Sequence, residues 1–413
     1  MLGKVSCNGT KIIRYLDVAI EWCLLALIVG LSFSHTAALQ AFAYVGGFIF
    51  WVIKSILAKK FEFDKTDIWM PLLLFGIAIF ISGIIGFDPY YSLNEMRGEF
   101  VTYVLIYYLV VHNVKTILQV KRLLSILIIA SAIVGGYGIL QYFRHHIRIS
   151  SFLSDYNYLS TYLVIVIPIV ASILFSSNLK RKFLKPILLI VLFVLFIALM
   201  FTLSRGAWLG FLCGTIIITI LTKDKRLMSF FLLLCMIGVF SLPDSVLYRA
   251  KTIIDISKYK AEPTIGPRFE LWKFGLSKIS ENPFFGIGPG RDIIIRKYPE
   301  EKISLMGNEH NLLLEIALGI GIPGFIAFIW LIGSLLKFLW RSFLSSKDDF
   351  KKAVILGVGA MIVSFIVRCL FDYVYVDNLA RLLWMLIGIG VVTAKITQQE
   401  QISPDVSSEE SLG

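Results

Sequence analysis

Residues 186–203 (PILLIVLFVLFIALMFTL) contain no charged side chain. A stretch of this length and character matches the hydrocarbon core of a bilayer, which takes roughly 20 helical residues to cross. About twelve such runs recur along the 413 residues, at 15–34, 38–57, 69–87, 98–112, 123–143, 156–175, 186–203, 206–221, 228–242, 310–336, 353–371 and 378–394. The chain is therefore expected to be an all-α polytopic membrane protein. The runs are continuous rather than alternating, which excludes a closed barrel. Charged residues make up 16% of the chain and hydrophobic residues 57%, against about 25% charged in soluble domains.

The formal net charge is +12, but its distribution argues against nucleic acid. Lysines and arginines collect in alternate short loops, among them Lys54, Lys59 and Lys60, Lys115, Lys121 and Arg122, Lys180 to Lys185, and Lys337 to Lys352. That asymmetry is the positive-inside pattern and puts both termini in the cytoplasm. Four regions follow: residues 1–242 with nine spans, an outer loop at 243–309, residues 310–395 with three spans, and a Ser/Glu-rich tail at 396–413 read as disordered. Within the loop, Phe269, Trp272, Leu276 and Ile279 recur at helical spacing, which predicts a short amphipathic helix at the membrane surface. The five cysteines fall in spans or the cytoplasmic tail, so no disulfide framework is implied. No His/Cys cluster has metal-ligand spacing, and neither a metal nor a cofactor is expected.

Ionisable residues at the outer ends of spans carry the chemical information, because charge near the bilayer is costly. Arg205 sits in a very tight hairpin, either as a ligand group or as an arginine snorkelling to lipid headgroups. Arg268 opens the loop helix; a guanidinium there can hold a phosphate bidentately or simply pair with Glu270. Arg97, Arg291 and Arg296 lie on the same face. His310 follows Glu309 at the entrance to a span; an imidazole can exchange a proton at working pH, or it can cap the helix. Gly319, Gly321 and Gly324 are expected to allow close helix packing, and Pro323 to kink the helix. GIGPGRD (286–292) looks like a nucleotide loop but follows no strand and lies outside the cytoplasm, so it is read as a turn. Arg368, Asp372 and Asp377 read as an ion-pair cluster at an outer hairpin.

Three blocks in order, LSRGAWLG, GPRFELWKFGLSKISENPFFGIGPGRD and EHNLLLEIALGIGIPG, between residues 202 and 324, resemble the O-antigen ligase and polymerase superfamily. His310 and Asn311, then nine residues, then Gly321 and Gly324, fit the ligase pattern of His, Asn/Ser/Gln, nine residues and Gly-x-x-Gly. The resemblance implies transfer of a glycan from undecaprenyl pyrophosphate to lipid A–core oligosaccharide on the periplasmic face of the inner membrane. It implies an inverting, metal-independent reaction. It also implies Arg205 and Arg268 on the pyrophosphate and His310 as general base. Arg97, Asn157, Arg291, Glu309, Asn311 and Asp372 are candidates for the substrate cavity, with Tyr90 and Tyr91 beside Arg97. Its partners would be the lipid-linked donor, the lipid A–core acceptor and membrane lipids. The alternatives are an O-antigen polymerase or a protein O-oligosaccharyltransferase using the same donor. A non-catalytic transporter would instead place charges and broken helices at mid-bilayer.

Overall fold

The structure, a computed structural model, describes residues 7–59, 68–145, 148–175, 183–223, 266–300, 310–372, 374–375 and 377–402. The expected span at 228–242, much of the outer loop, Glu309 and the tail beyond Ile402 lie outside the described residues, while 396–402, expected in the disordered tail, continue the last helix. What is described is helical. The elements are α1 (Cys7–Ser32), α2 (Ala37–Leu57), α3 (Trp69–Ile85), α4 (Pro89–Met96), α5 (Thr102–Asn113), α6 (Ile117–His145) and α7 (Tyr156–Leu174). They continue with α8 (Leu184–Phe201), α9 (Arg205–Thr222), α10 (Gly266–Glu281), α11 (Ile293–Lys297), α12 (Leu312–Ser345), α13 (Asp349–Cys369) and α14 (Asp377–Ile402).

Eight of the described helices are long and apolar enough to cross a membrane: α2, α6, α7, α8, α9, α12, α13 and α14. The class expected from the sequence holds, whereas the number twelve is not reached among the described residues. The reasons are local. α3 has 17 residues. The first half of α1 carries Lys11, Arg14, Asp17 and Glu21, of which Asp17 meets Lys54 at 2.5 Å and Glu21 meets Arg122 at 2.8 Å. The run expected at 98–112 is the lower part of a longer rod. α4 and α5 are joined through Arg97–Val101, a π-helical turn with helical dihedrals on both sides. Single π turns inside α-helices are uncommon and concentrate at functional sites.

Burial sorts the helices into layers. Inside the protein lies 89% of the apolar window of α7 but only 28% of that of α2, so α7 is central and α2 faces lipid. α13 packs on α7, α9, α12 and α14. Its contact with α9 is close because Gly206, Gly210 and Gly214 form one ridge on α9: a methyl at Gly210 would lie 2.5 Å from the Ser364 carbonyl oxygen. Small residues four apart let two helix backbones approach in lipid.

α12 is broken. Gly321 has φ 73 and ψ 175, a conformation open to glycine, and Pro323 follows it. The break exposes backbone groups that need partners. The segment after α10 supplies them. Leu318 O accepts from Ile287 N at 2.9 Å, Gly319 O accepts from Gly288 N at 2.9 Å and from Ser82 Oγ at 2.7 Å, and Ile322 N donates to Pro283 O at 2.7 Å. The glycines of this motif thus serve an unwound turn that seats a loop, beyond the close packing expected of them.

The hairpins sort to two ends. At one end Ser34 N donates to Phe152 O at 2.8 Å, Phe87 N to Ile287 O at 2.8 Å and Arg268 to Phe371 O at 2.6 Å. The opposite end holds Lys54 with Asn113, Lys121 over the Phe350 ring, and Lys351 with Glu400.

Candidate active site

The first end contains His310. Its φ is 48, a left-handed conformation that L-residues adopt at a cost. Asn311 then returns to extended backbone and caps α12, its Oδ1 accepting from Leu313 N at 3.0 Å and Leu314 N at 3.2 Å. The Asn311 amide also donates to Leu370 O at 3.2 Å, which ties the start of α12 to the end of α13. That tie presents the imidazole to the hairpin after α13. His310 Nδ1 and Asp372 Oδ1 are 2.8 Å apart. The other carboxylate oxygen of Asp372 accepts from Arg368 at 3.2 Å, and Arg368 also donates to Asn157 Oδ1 at 3.2 Å.

Arg368 and Asp372 are 1% and 6% exposed, so their charges are withdrawn from water and stand only by pairing. Burial alone would push the Asp372 carboxyl up. The hydrogen bond from His310 and the Arg368 charge outweigh it, with Arg268 adding to them, and hold Asp372 well below the usual carboxylate range. An ionised carboxylate only accepts, so the His310 Nδ1 carries the hydrogen of this bond. The lone pair able to take a proton is then on Nε2.

Arginines crowd the same place. Arg205 is the first residue of α9, and its neighbour Gly206 backs onto the hairpin: a methyl there would lie 2.9 Å from Phe371 Cβ and 3.5 Å from an Arg368 nitrogen. Arg268, on α10, donates to Phe371 O in that hairpin. Arg148 donates to the carbonyls of Thr202 and Leu203 at 3.0 and 3.3 Å, and its guanidinium lies 3.4 Å from the Tyr156 ring centroid. His310, Asn311, Asp372, Asn157 and Arg268 are therefore joined by hydrogen bonds through 368–372, and Arg205 opens the helix packed beside them.

The remaining candidates divide. Arg291 reaches the Tyr158 hydroxyl, which donates to Asp377 at 3.3 Å, so it borders the site. Arg97 is exposed and donates to Asn94 Oδ1 at 2.9 Å. Tyr90 is 88% exposed, and the Tyr91 hydroxyl accepts from Asp292 N at 3.0 Å. Arg296 pairs with Asp88 at 3.1 Å. Glu309 lies outside the described residues. Sequence reading placed Arg368 and Asp372 in a structural ion pair and missed that the same carboxylate holds His310, because 62 residues separate the two. Arg148 went unnoticed, although it precedes the Asp155 cap of α7 by a few residues. Among the described residues no three His, Cys, Asp or Glu side chains converge as metal ligands would.

Comparison with known proteins places this end of the molecule in context. Residues 188–329 match the family model described as O-antigen ligase. A protein of Rickettsia conorii provisionally named a polysaccharide ligase is 28% identical over 247 residues, 57% of this chain and 56% of the relative. A Rickettsia felis protein with the same provisional name is 30% identical over 178 residues, 41% of this chain and 42% of the relative. The O-antigen ligase of Salmonella typhimurium is 25% identical over 174 residues, 38% of this chain and 41% of the relative. The chain spans about half the length, or less, of these relatives where it matches them. These matches bear out the resemblance to the O-antigen ligase superfamily, and the matched family region includes Arg205, Arg268 and His310.

Proposed function

We propose that the protein is a glycosyltransferase that moves O-antigen polysaccharide from undecaprenyl pyrophosphate to lipid A–core oligosaccharide. In this reading the site faces the periplasm and the bundle sits in the bacterial inner membrane. The family match and the relatives named ligases support a polysaccharide-ligase type of role. The observation that carries the mechanism is the 2.8 Å contact between His310 Nδ1 and Asp372.

A sugar hydroxyl is a weak nucleophile at neutral pH. His310 Nε2 takes the acceptor hydroxyl's proton as its oxygen attacks the anomeric carbon of the donor. The new carbon–oxygen bond forms on the face opposite the breaking bond to pyrophosphate, so configuration inverts. The bonding pair leaves with the pyrophosphate, whose added charge Arg205 and Arg268 stabilise. Asp372 keeps the imidazole in the tautomer that accepts at Nε2 and then steadies the imidazolium. Arg368, bonded to Asn157 as well, fixes Asp372 in turn. The ligase reading is preferred to the polymerase because His310, Asn311, Gly321 and Gly324 keep the ligase spacing, and because the Salmonella relative is named a ligase.

The test is transfer in vitro, with purified protein, lipid-linked glycan and lipid A–core acceptor, scored by gel shift of the acceptor. His310→Ala is expected to slow turnover per folded molecule by about 10²–10⁴-fold, the worth of a positioned general base, while the protein still inserts and folds. Turnover by His310→Ala at the wild-type rate would refute the assignment.

A further inference from the structure

Arg205 can serve a donor only if the turn that carries it keeps one shape. That turn is strained. Leu203 has φ 53, a left-handed conformation that is costly for a leucine. It sits between Thr202, the buried end of α8, and Ser204, the extended cap of α9, whose side chain makes no capping bond. Strain of this kind persists only where the surroundings over-determine it, and it collects at functional sites.

The segment before α7 does the over-determining. Arg148 Nε donates to Thr202 O at 3.0 Å, and its Nη2 donates to Leu203 O at 3.3 Å. Among the described residues neither carbonyl accepts from a backbone N–H, so the guanidinium caps the end of α8 from another part of the chain. One face of that guanidinium lies on the Tyr156 ring, 3.4 Å from its centroid. The backbone behind it is pinned in turn. Gln141 Oε1 on α6 accepts from Ser150 N at 3.1 Å and Ser151 N at 2.9 Å, and Ser151 Oγ donates to Val134 O at 2.6 Å. The same segment runs on through the Asp155 cap of α7 to Asn157, which accepts from Arg368 at 3.2 Å. One short stretch therefore anchors both the turn that carries Arg205 and the chain of bonds that ends at His310.

We propose that Arg148 is a positioning residue for donor binding: its fork across Thr202 O and Leu203 O holds the left-handed turn and thereby sets where Arg205 stands. Arginine suits this task because its planar donors meet two acceptors at a fixed spacing, which a lysine ammonium on a flexible stem does not. The inference rests on the reading of Arg205 as a ligand of the donor pyrophosphate and names the residue that reading lacks. Displacing a binding group by about 1 Å can cost on the order of 10²-fold in rate, so a residue that never touches the donor still governs its transfer.

Binding of inorganic pyrophosphate tests it without transfer. Purified full-length protein is titrated by calorimetry, and affinities are referred to folded protein. Arg205→Ala and Arg148→Ala are each expected to bind about tenfold more weakly than wild type, the scale of one hydrogen bond to a charged group. Arg148→Lys keeps the charge but not the fork; it is expected to lie between Arg148→Ala and wild type, and it carries the test if the alanine variant does not fold. Glycine adopts the left-handed turn without steric cost, so in a Leu203→Gly background the loss from Arg148→Ala is expected to shrink to about threefold or less. Wild-type affinity in both Arg148 variants would overturn the inference. So would the full loss persisting beside Leu203→Gly, since Arg148 would then act otherwise than through this turn. If Arg205→Ala binds pyrophosphate like wild type, the donor reading of Arg205 fails and the inference falls with it. If Arg205→Ala loses binding while Arg148→Ala keeps it, the inference alone fails.

Discussion

Asp372 is the residue on which the site turns. It is buried, it is kept ionised by the His310 hydrogen bond and the Arg368 charge, and it is placed by a hairpin that also receives Arg268 and Asn311. Its role predicts a separation of effects. Asp372→Asn keeps the size and loses the charge, so the imidazole is no longer held in the accepting tautomer. Transfer should fall by about 10²–10⁴-fold per folded molecule, measured in the same gel-shift assay; transfer at the wild-type rate would leave Asp372 as a structural anchor only. Arg368→Met instead strips a buried carboxylate of its closest guanidinium, and a broken buried pair costs about 3–5 kcal/mol. Its melting temperature in detergent should fall below that of wild type, and that of Asp372→Asn should fall too, because it leaves the buried Arg368 guanidinium without its carboxylate. The pH dependence follows from the sign of the shift. A carboxyl whose folded value is depressed adds stability that is fully present above the unfolded value, about 3.9, and is lost as pH falls through the folded one. Between about pH 5 and 8 the difference in melting temperature between wild type and Asp372→Asn should therefore stay constant with respect to this group.

At the scale of elements, two glycine patterns do different work. The ridge of Gly206, Gly210 and Gly214 brings α9 against α13, and with it Arg205 against the hairpin. Gly210→Leu should therefore push the two helices apart and reduce transfer even though position 210 bears no catalytic group. A Gly210→Leu protein with normal transfer would show that Arg205 does not depend on this packing. The helices themselves were legible in the sequence, because apolar length and charged loops are one-dimensional signals. His310, Arg205 and Arg268 stand out as candidates, since each lies at the outer end of an apolar run or opens a loop helix, but position alone leaves their roles open and only the family resemblance assigns them. The pairing of His310 with Asp372 was not, because it joins two hairpins whose proximity is set by the packing of α12 on α13.

Across the whole molecule the polarity of the bundle decides which substrates can reach the site. The hairpins around His310 and the lysine-rich loops lie at opposite ends. Cysteine placed at exposed Phe284, in a background lacking the native cysteines, should react with an impermeant thiol reagent added outside, and cysteine at Lys59 should not. Labelling at 59 alone would put the site on the cytoplasmic face and exclude the proposed substrates. One feature of the bundle has a bearing on how such chains can diverge. Surface loops ordinarily accept extra residues at little cost, and the segment 282–290 runs over the surface after α10. Yet Pro283, Ile287 and Gly288 are matched one to one with groups left open by the break in α12. A single residue inserted between 284 and 287 would slide these partners out of register, so this stretch has the length tolerance of a core strand. Diversification of the outer face is thereby confined to its neighbours, and related chains that handle different glycans should vary in length on either side of this segment and not within it.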